Sequence, residues 1–246
     1  MSFSPAPTAL PTSPLTTLSI ITVRLENRRW ALAQMGTLPR QLAAVPGLRF
    51  AKLLGSGYDF GLKPNFARYG LMAVWDDDAT ARRFFERNPH WQAYQERSHE
   101  LWTADLLPLQ GHGLWDGSNP FDYAPRADAP AEAPVAVLTR ASIRLLRSWK
   151  FWQAVPPVSR AVQQAPGLLA AIGLGELPIV RQATFSLWRS AAEMRQYAYG
   201  QQHEGRHKEI IKRTRQEGWY SEEMFARFRV LSTRGTWDGQ NPLPLP

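Results

Sequence analysis

Cysteine is absent from the 246 residues, which excludes disulfides, thiolate zinc clusters, iron–sulfur centres and cysteine nucleophiles. Any metal must be held by histidine, carboxylate, tyrosine or a cofactor. Lysine is scarce: only Lys52, Lys63, Lys150, Lys208 and Lys212 stand among 29 basic residues, so arginine dominates a net charge of +8. Guanidinium forks suit anionic ligands such as nucleic acid, phospholipid headgroups or porphyrin propionates, and equally a solvated surface. The one dense basic face, Lys208, Lys212, Arg213 and Arg215, reads as solvated, and no nucleic-acid partner is expected. No run approaches the roughly 18 apolar residues that cross a bilayer. The opening SFSPAPTALPTSPLTT lacks both a basic start and an apolar secretory core. Residues 1–16 are therefore expected to form a flexible tail, and the protein to be cytoplasmic.

What is present is a duplication. GLWDGSNPF at 113–121 returns as GTWDGQNPL at 235–243, so Trp115 and Trp237 stand 122 residues apart. VPGL (45–48) matches APGL (165–168), Gly55 matches Gly175, and RYGLMAVW (68–75) matches RQATFSLW (181–188). Self-similarity at one period means one structural unit used twice. Each copy carries a β-rich opening (18–25 and 136–143) and a short amphipathic helix (39–45 and 159–165) ended by Pro-Gly. A glycine-bearing strand, a Trp-ended strand, a longer helical stretch (78–102 and 190–219) and a closing strand (104–110 and 224–231) follow. That order predicts an α+β fold of two ferredoxin-like β-α-β-β-α-β repeats, over 17–119 and 136–246, joined by a Pro/Ala-rich linker at 120–135. Two such units bury their open sheet faces against each other in a dimeric-type α/β barrel within one chain.

One string raises a separate question. HEGRH (203–207) fits H-E-x-x-H, in which two histidines on a helix bind zinc and the glutamate polarises water. Against a zinc site stand Gly200 and Gly205, each costing about 1 kcal/mol of helix propensity, and the lack of a third ligand at a recognisable spacing. Aligning Trp102 with Trp219 pairs His207 with His90 and leaves His203 and Glu204 in an insertion of about four residues. His207 shares a helical face with Ile210 and Ile211, which fits a core histidine and fits an axial ligand equally.

The stretches HKEIIKRTRQEGWYSEEMFARFRVL (207–231), PGLLAAIGLGELPIVRQATFSLW (166–188) and RWALAQMG (29–36) resemble the spheroidene monooxygenase family of acyclic carotenoid oxygenases, from about Leu18 to Pro242. The resemblance implies a haem-dependent oxygenase of dimeric α/β-barrel type, inserting oxygen from O₂ into a lipophilic substrate to give a hydroxyl and then a ketone. Haem b is the implied cofactor. With no flavin or nicotinamide fingerprint in the chain, electrons come from an external ferredoxin or reductase. Within that reading His207 is the expected axial ligand, with His203 one turn earlier as the fallback. Arg181 is a candidate for a haem propionate or for iron-bound oxygen, unless it is an ion-pair partner like its counterpart Arg68. Trp219, Tyr220, Phe225, Arg227 and Phe228 form the candidate pocket cluster, and the loop GSGYDFGLKPNFARY (55–69) a candidate substrate mouth. A non-catalytic haem or apolar-ligand barrel and a zinc hydrolase remain as alternatives. Transient membrane contact and a homo-oligomer are both compatible with the sequence.

Overall fold

The structure, a computed structural model, describes residues 13–60, 63–123, 128–149, 152–153, 161–177, 179–199 and 217–243. The alternation in LSIITVRL builds a strand with two chemically distinct sides: β1 (Leu15–Val23) sends Leu18 and Ile20 one way and Thr17, Ser19 and Ile21 the other. Seven further strands follow: β2 (Leu48–Gly57), β3 (Pro64–Trp75), β4 (Ser98–Gly113), β5 (Val135–Ile143), β6 (Leu168–Leu177), β7 (Arg181–Trp188) and β8 (Tyr220–Gly235). They close into an antiparallel barrel in the order β1-β3-β2-β6-β7-β5-β8-β4.

The two halves of the ring match. Leu15 and Leu48 both pair with Trp75, as Val135 and Leu168 both pair with Trp188. The strand orders are β4-β1-β3-β2 and β8-β5-β7-β6, and Gly55 pairs directly with its own counterpart Gly175. Closure is uneven. The β4–β8 seam runs from Trp102–Gly235 to Gly113–Met224, whereas β2–β6 holds only the three pairs Gly55–Gly175, Ser56–Leu174 and Gly57–Gly173.

The lumen is solid. Leu18, Ile20, Met72, Trp102, Leu138, Phe185 and Phe228 fill it, and Trp115 and Trp237 plug its ends. Each plug is delivered by a Trp-Asp-Gly turn with both central φ angles positive (Asp116 53°, Gly117 80°; Asp238 56°, Gly239 84°), as in a type I′ turn. The carboxylate of Glu222 accepts from the backbone N–H groups of Asp116 (3.0 Å) and Gly117 (2.8 Å), and Glu100 does the same for Asp238 (3.0 Å) and Gly239 (2.6 Å).

Three helices cover the outer face of the first half: α1 (Arg28–Leu42), α2 (Asp78–Arg87) and α3 (Pro89–Arg97). The first expected helix, 39–45, is therefore found earlier and longer, with Pro39 inside its last turn and Ala31, Leu38 and Leu42 on the buried side. The long helical stretch expected at 78–102 is cut by Asn88, whose side chain caps α3 through the N–H groups of His90 and Trp91, and β4 begins already at Ser98. In the second half, α4 (Ala191–Tyr199) packs Ala191 and Met194 against Trp188 and Val135. β1 begins at Leu15, inside the expected tail, and the expected linker is anchored by buried Phe121 and Ala129. No helix among the described residues is long and apolar enough to cross a membrane.

One barrel mouth carries charge that the other lacks. Arg140, 1% exposed, is hydrogen-bonded to Glu222 and to Glu176 (3.3 Å), and its guanidinium stands over the Trp115 ring at 5.6 Å. Lys52 reaches across the short β2–β6 seam to Asp116 and to Glu176 (3.3 Å). At the other mouth the positions of Arg140 and Lys52 are taken by Ile20 and Ile172. Burial pushes the Asp116 and Glu222 carboxyls up, but it is outweighed. Lys52, Arg181 and Arg140 hold Asp116 below its usual 3.8, and the turn amides with Arg140 hold Glu222 below its usual 4.5.

Two outcomes follow for stability. Gly113 (φ +88°) has the Glu223 carbonyl where a Cβ would stand, whereas Gly117 (φ +80°) faces open space. Gly113→Ala is expected to cost at least about 3 kcal/mol in urea unfolding against about 1 kcal/mol for Gly117→Ala. Because the folded carboxyls are depressed, their contribution is fully present above pH 4.5 and is lost as pH falls below that value. Glu222→Gln should flatten the acid limb of the stability–pH curve while lowering stability at neutral pH.

Candidate functional site

His203, His207 and Glu204 lie outside the described residues, and so does the basic face from Lys208 to Arg215. The other six candidate residues do not form one cluster, because successive strand residues point to opposite faces. Phe228 points into the lumen, 0% exposed and edge-on to Phe121 at 5.1 Å. Phe225 and Arg227 point out from the same strand. Arg181 stands on the lumen side, at the charged mouth, with Asp116 at 3.4 Å and Glu176 at 3.7 Å. Its counterpart Arg68 is bound in the same way to Asp238, the counterpart of Asp116. The ion-pair reading of Arg181 thus accounts for both copies, and the guanidinium does not reach the face that carries Arg227. Trp219, 2% exposed, precedes β8 and bonds Glu217 through its indole N–H at 3.1 Å. Tyr220 has its phenol pushed up to about 12 by burial, with Glu223 adding to the effect, and lines a surface cavity of about 390 Å³ with Gly113, Gly218 and Glu222.

The pairing of His90 with His207 needs correction. It rests on matching Trp102 with Trp219, but the symmetric β4–β8 register makes Met224 the counterpart of Trp102, since Trp102 pairs with Gly235 and Met224 with Gly113. Trp219 corresponds to Arg97, at the end of α3.

Comparison of the two outer faces locates a different set of residues. In the first half one row across the sheet reads Leu53–Leu71–Ser19–Thr103, all buried beneath the helices. The same row in the second half reads Gly173–Thr184–Thr139–Phe225, and both threonines are exposed in mid-sheet. In the next row Tyr69 and Ile21 give way to Gln182 and Ala141. Side chains on the second face are smaller at four positions, Gly173, Thr184, Gln182 and Ala141, and at Gly173 the space is taken by the backbone of Phe60. The far end of that face is closed by α4, where Tyr197 leans on Trp188 at 5.1 Å.

Three groups border the opened row. Phe60, at the end of the loop that leaves β2, lies over β6, and its Cα would stand 2.9 Å from a Cβ on Gly173. The candidate mouth loop therefore crosses the short seam onto the second half. His112 stacks on Phe225 at 5.1 Å. Arg227, 5% exposed, sits one row along and holds Asp128 through Nη1 at 3.3 Å, while its Nε is buried with no hydrogen-bond partner. The Nε of Arg140 is in the same state, and such an N–H can still donate to an acceptor that reaches it. Among the described residues no three His, Asp or Glu side chains gather as a metal site. A cavity of about 490 Å³ lies at the other mouth, lined by Arg28, Tyr58, Arg68, His99, Glu100 and Asp238. Three of those, Arg68, Glu100 and Asp238, are already engaged with the second Trp-Asp-Gly turn.

No family model matches the chain. Among solved structures it is similar to a crystal structure of an aldoxime dehydratase, at a TM-score of 0.52 and 12% identity, covering 88% of this chain and 81% of that one, which shows a common fold. Among curated proteins it is 38% identical over 216 residues to the spheroidene monooxygenase of Rhodobacter capsulatus, covering 87% of this chain and 88% of that protein. To the spheroidene monooxygenase of Rubrivivax gelatinosus it is 40% identical over 227 residues, covering 91% of this chain and 84% of that protein. Identity of this level over more than four fifths of both chains leaves one assignment: the chain belongs to the spheroidene monooxygenase family.

Proposed function

We propose that the protein is a monooxygenase that inserts oxygen from O₂ into an acyclic carotenoid or a similar lipophilic polyene, with haem b held against the opened outer face of the second half. The observation that carries the reading is the row Gly173–Thr184–Thr139–Phe225, stripped of the leucines that fill the same row in the other copy.

The residues fit a haem. A broad flat ligand needs small side chains beneath it, which Thr184, Thr139 and Ala141 supply. Its carboxylates need a buried cation, and the unused Nε of Arg227 offers one beside the row. Phe225 gives an apolar edge, and Phe60 bounds the pocket where the mouth loop arrives. His207 is the proposed axial ligand, with His203 as fallback. When bound, haem supplies an iron centre able to activate dioxygen. The chain's own part is to hold the porphyrin, keep water from the reacting carbon and align an extended apolar substrate. Electrons enter from an external ferredoxin or reductase. The hydroxyl formed first becomes a ketone after a second oxidation at the same carbon and loss of water.

Protein purified with haem supplied is expected to show a Soret band that His207→Ala abolishes and Glu204→Ala keeps. Thr184→Leu, which restores the residue of the first copy, should fold normally yet lower haem affinity about tenfold by overpacking the row. Stoichiometric zinc without a Soret band would overturn the assignment in favour of a hydrolase at HEGRH. Product analysis with a lycopene-type polyene, O₂ and a ferredoxin with its reductase separates oxygenase from carrier: a carrier returns the polyene unchanged.

A further inference from the structure

The same turn is built twice with opposite surfaces. After β1 the chain makes a short 3-10 turn at Leu25–Asn27, and after β5 it makes the equivalent turn at Leu145–Arg147, each entered through an extended arginine, Arg24 or Arg144. In the first copy the turn and its flank read Leu25-Glu26-Asn27-Arg28-Arg29. In the second they read Leu145-Leu146-Arg147-Ser148-Trp149. Leu146 replaces a glutamate and Trp149 an arginine, so forming the turn does not demand apolar residues there. Leu145 is as exposed as Leu25 (70% and 69%), so the difference lies in Leu146, 87% exposed, and Trp149, 57%. Ile179, 43% exposed, joins them: it lies in the β6–β7 hairpin, where Val180 receives the Ile143 N–H at 2.7 Å and the Ile179 carbonyl receives the Trp152 indole N–H at 3.2 Å.

We infer that this tip, Leu145, Leu146, Trp149 and Ile179 with Arg144 and Arg147 exposed beside them, docks the protein on the surface of an anionic lipid bilayer. Leucine side chains projecting from a turn reach the acyl boundary, tryptophan favours the interface, and arginines at the base meet phosphate. The charge agrees, since 29 basic residues face 21 acidic ones in a chain whose basic residues are mostly arginine. The position agrees as well. The tip continues β5 beyond Thr139 and Ala141, so it stands about 20 Å along the strand from the opened row. A polyene leaving the bilayer at the tip would meet the open end of that face. This second step rests on the carotenoid reading above; the docking itself does not.

The test uses the full-length, haem-loaded protein and sucrose-loaded vesicles of phosphatidylglycerol with phosphatidylcholine. The wild type is expected to sediment with these vesicles, and far less with phosphatidylcholine alone or in high salt. Leu146→Ser with Trp149→Ser should lower the partition coefficient on the order of a hundredfold, tenfold for each side chain withdrawn, with an unchanged melting temperature. Leu25→Ser, at the equivalent turn, should leave it unchanged. The double variant should keep its turnover of detergent-dispersed polyene and lose turnover of vesicle-embedded polyene. Equal sedimentation of wild type and double variant overturns the proposal. So does a loss of mass in light scattering for the double variant without vesicles, which would make the tip an interface between copies of this chain. Vesicle binding together with no polyene turnover by any form would keep the docking and overturn only the carotenoid reading.

Discussion

A ring of eight strands is only wide enough inside for its own side chains, and everything functional here depends on that limit. Trp102, Phe185, Phe228 and the aliphatic residues between them fill the lumen, and Trp115 and Trp237 stop its ends. A porphyrin or a long polyene cannot enter without displacing this core. On the reading proposed above, binding uses the outside of the sheet, where each half needs something to cover its apolar face. The first half meets the need with α1, α2 and α3 lying on Leu53, Tyr69, Leu71 and Trp75. Among the described residues, the second half is covered at the Trp188 end, under α4, and at its centre leucines of the first half are exchanged for threonine and glycine.

Closure also sets the demands on the mouths. A barrel sealed by three pairs between β2 and β6 is weakest at that seam, and there Lys52 on β2 is tied to Glu176 on β6. The opposite seam is long, and it requires glycine where β4 and β8 begin to part. A Cβ on Gly113 would meet the Glu223 carbonyl, and one on Gly235 the Leu101 carbonyl. Both glycines lead directly into the Trp-Asp-Gly turns, so one backbone constraint positions the plug at each end. Buried charge is a poor source of net stability, because the desolvation of Arg140 offsets most of what its partners return. Its value lies in register: four segments distant in sequence meet on one guanidinium, and a shifted strand would leave that charge unpaired.

Much of this was legible in the sequence, though unevenly. The duplication, the Trp-ended strands and the Gly55–Gly175 match follow from spacing alone, because sheet register conserves spacing. The helical regions are less legible, since a proline commonly opens a helix whereas Pro39 sits in the last turn of α1, and Asn88 caps α3 within a continuous helical pattern. Matching Trp102 with Trp219 failed for a related reason: like residues align only if they share a strand position, and Trp219 precedes its strand. The grouping of Phe225, Arg227 and Phe228 ignored the period of two, which by itself puts Phe228 on the other face. The mouth network joins Asp116, Arg140, Glu176 and Glu222 from four strands and turns, so no local pattern announces it. Its one visible trace was Arg140 at an inward position of AVLTRASI.

A duplicated chain contains its own control, and this gives the assignment of roles its logic. Where both copies keep a residue with the same partner, as Arg68 keeps Asp238 and Arg181 keeps Asp116, the barrel is the sufficient cause, and no catalytic role is needed to explain it. Where the copies share a backbone and differ in chemistry, the fold has been satisfied either way and another demand has chosen the residue. Among the described residues that condition is met at the row of Thr184, at the charged mouth of Arg140 and at the turn of Leu146, among other positions. The mouth is explained by the short seam that Lys52 spans. Packing explains Gly173, which lies against Phe60, but it does not explain Thr184, exposed where Leu71 is buried, or Leu146 and Trp149, exposed where the first copy has Glu26 and Arg29. The row and the turn both lie in the second half, on the side to which β5 leads. A binding face and its approach to a lipid source would have to diverge together in just this way.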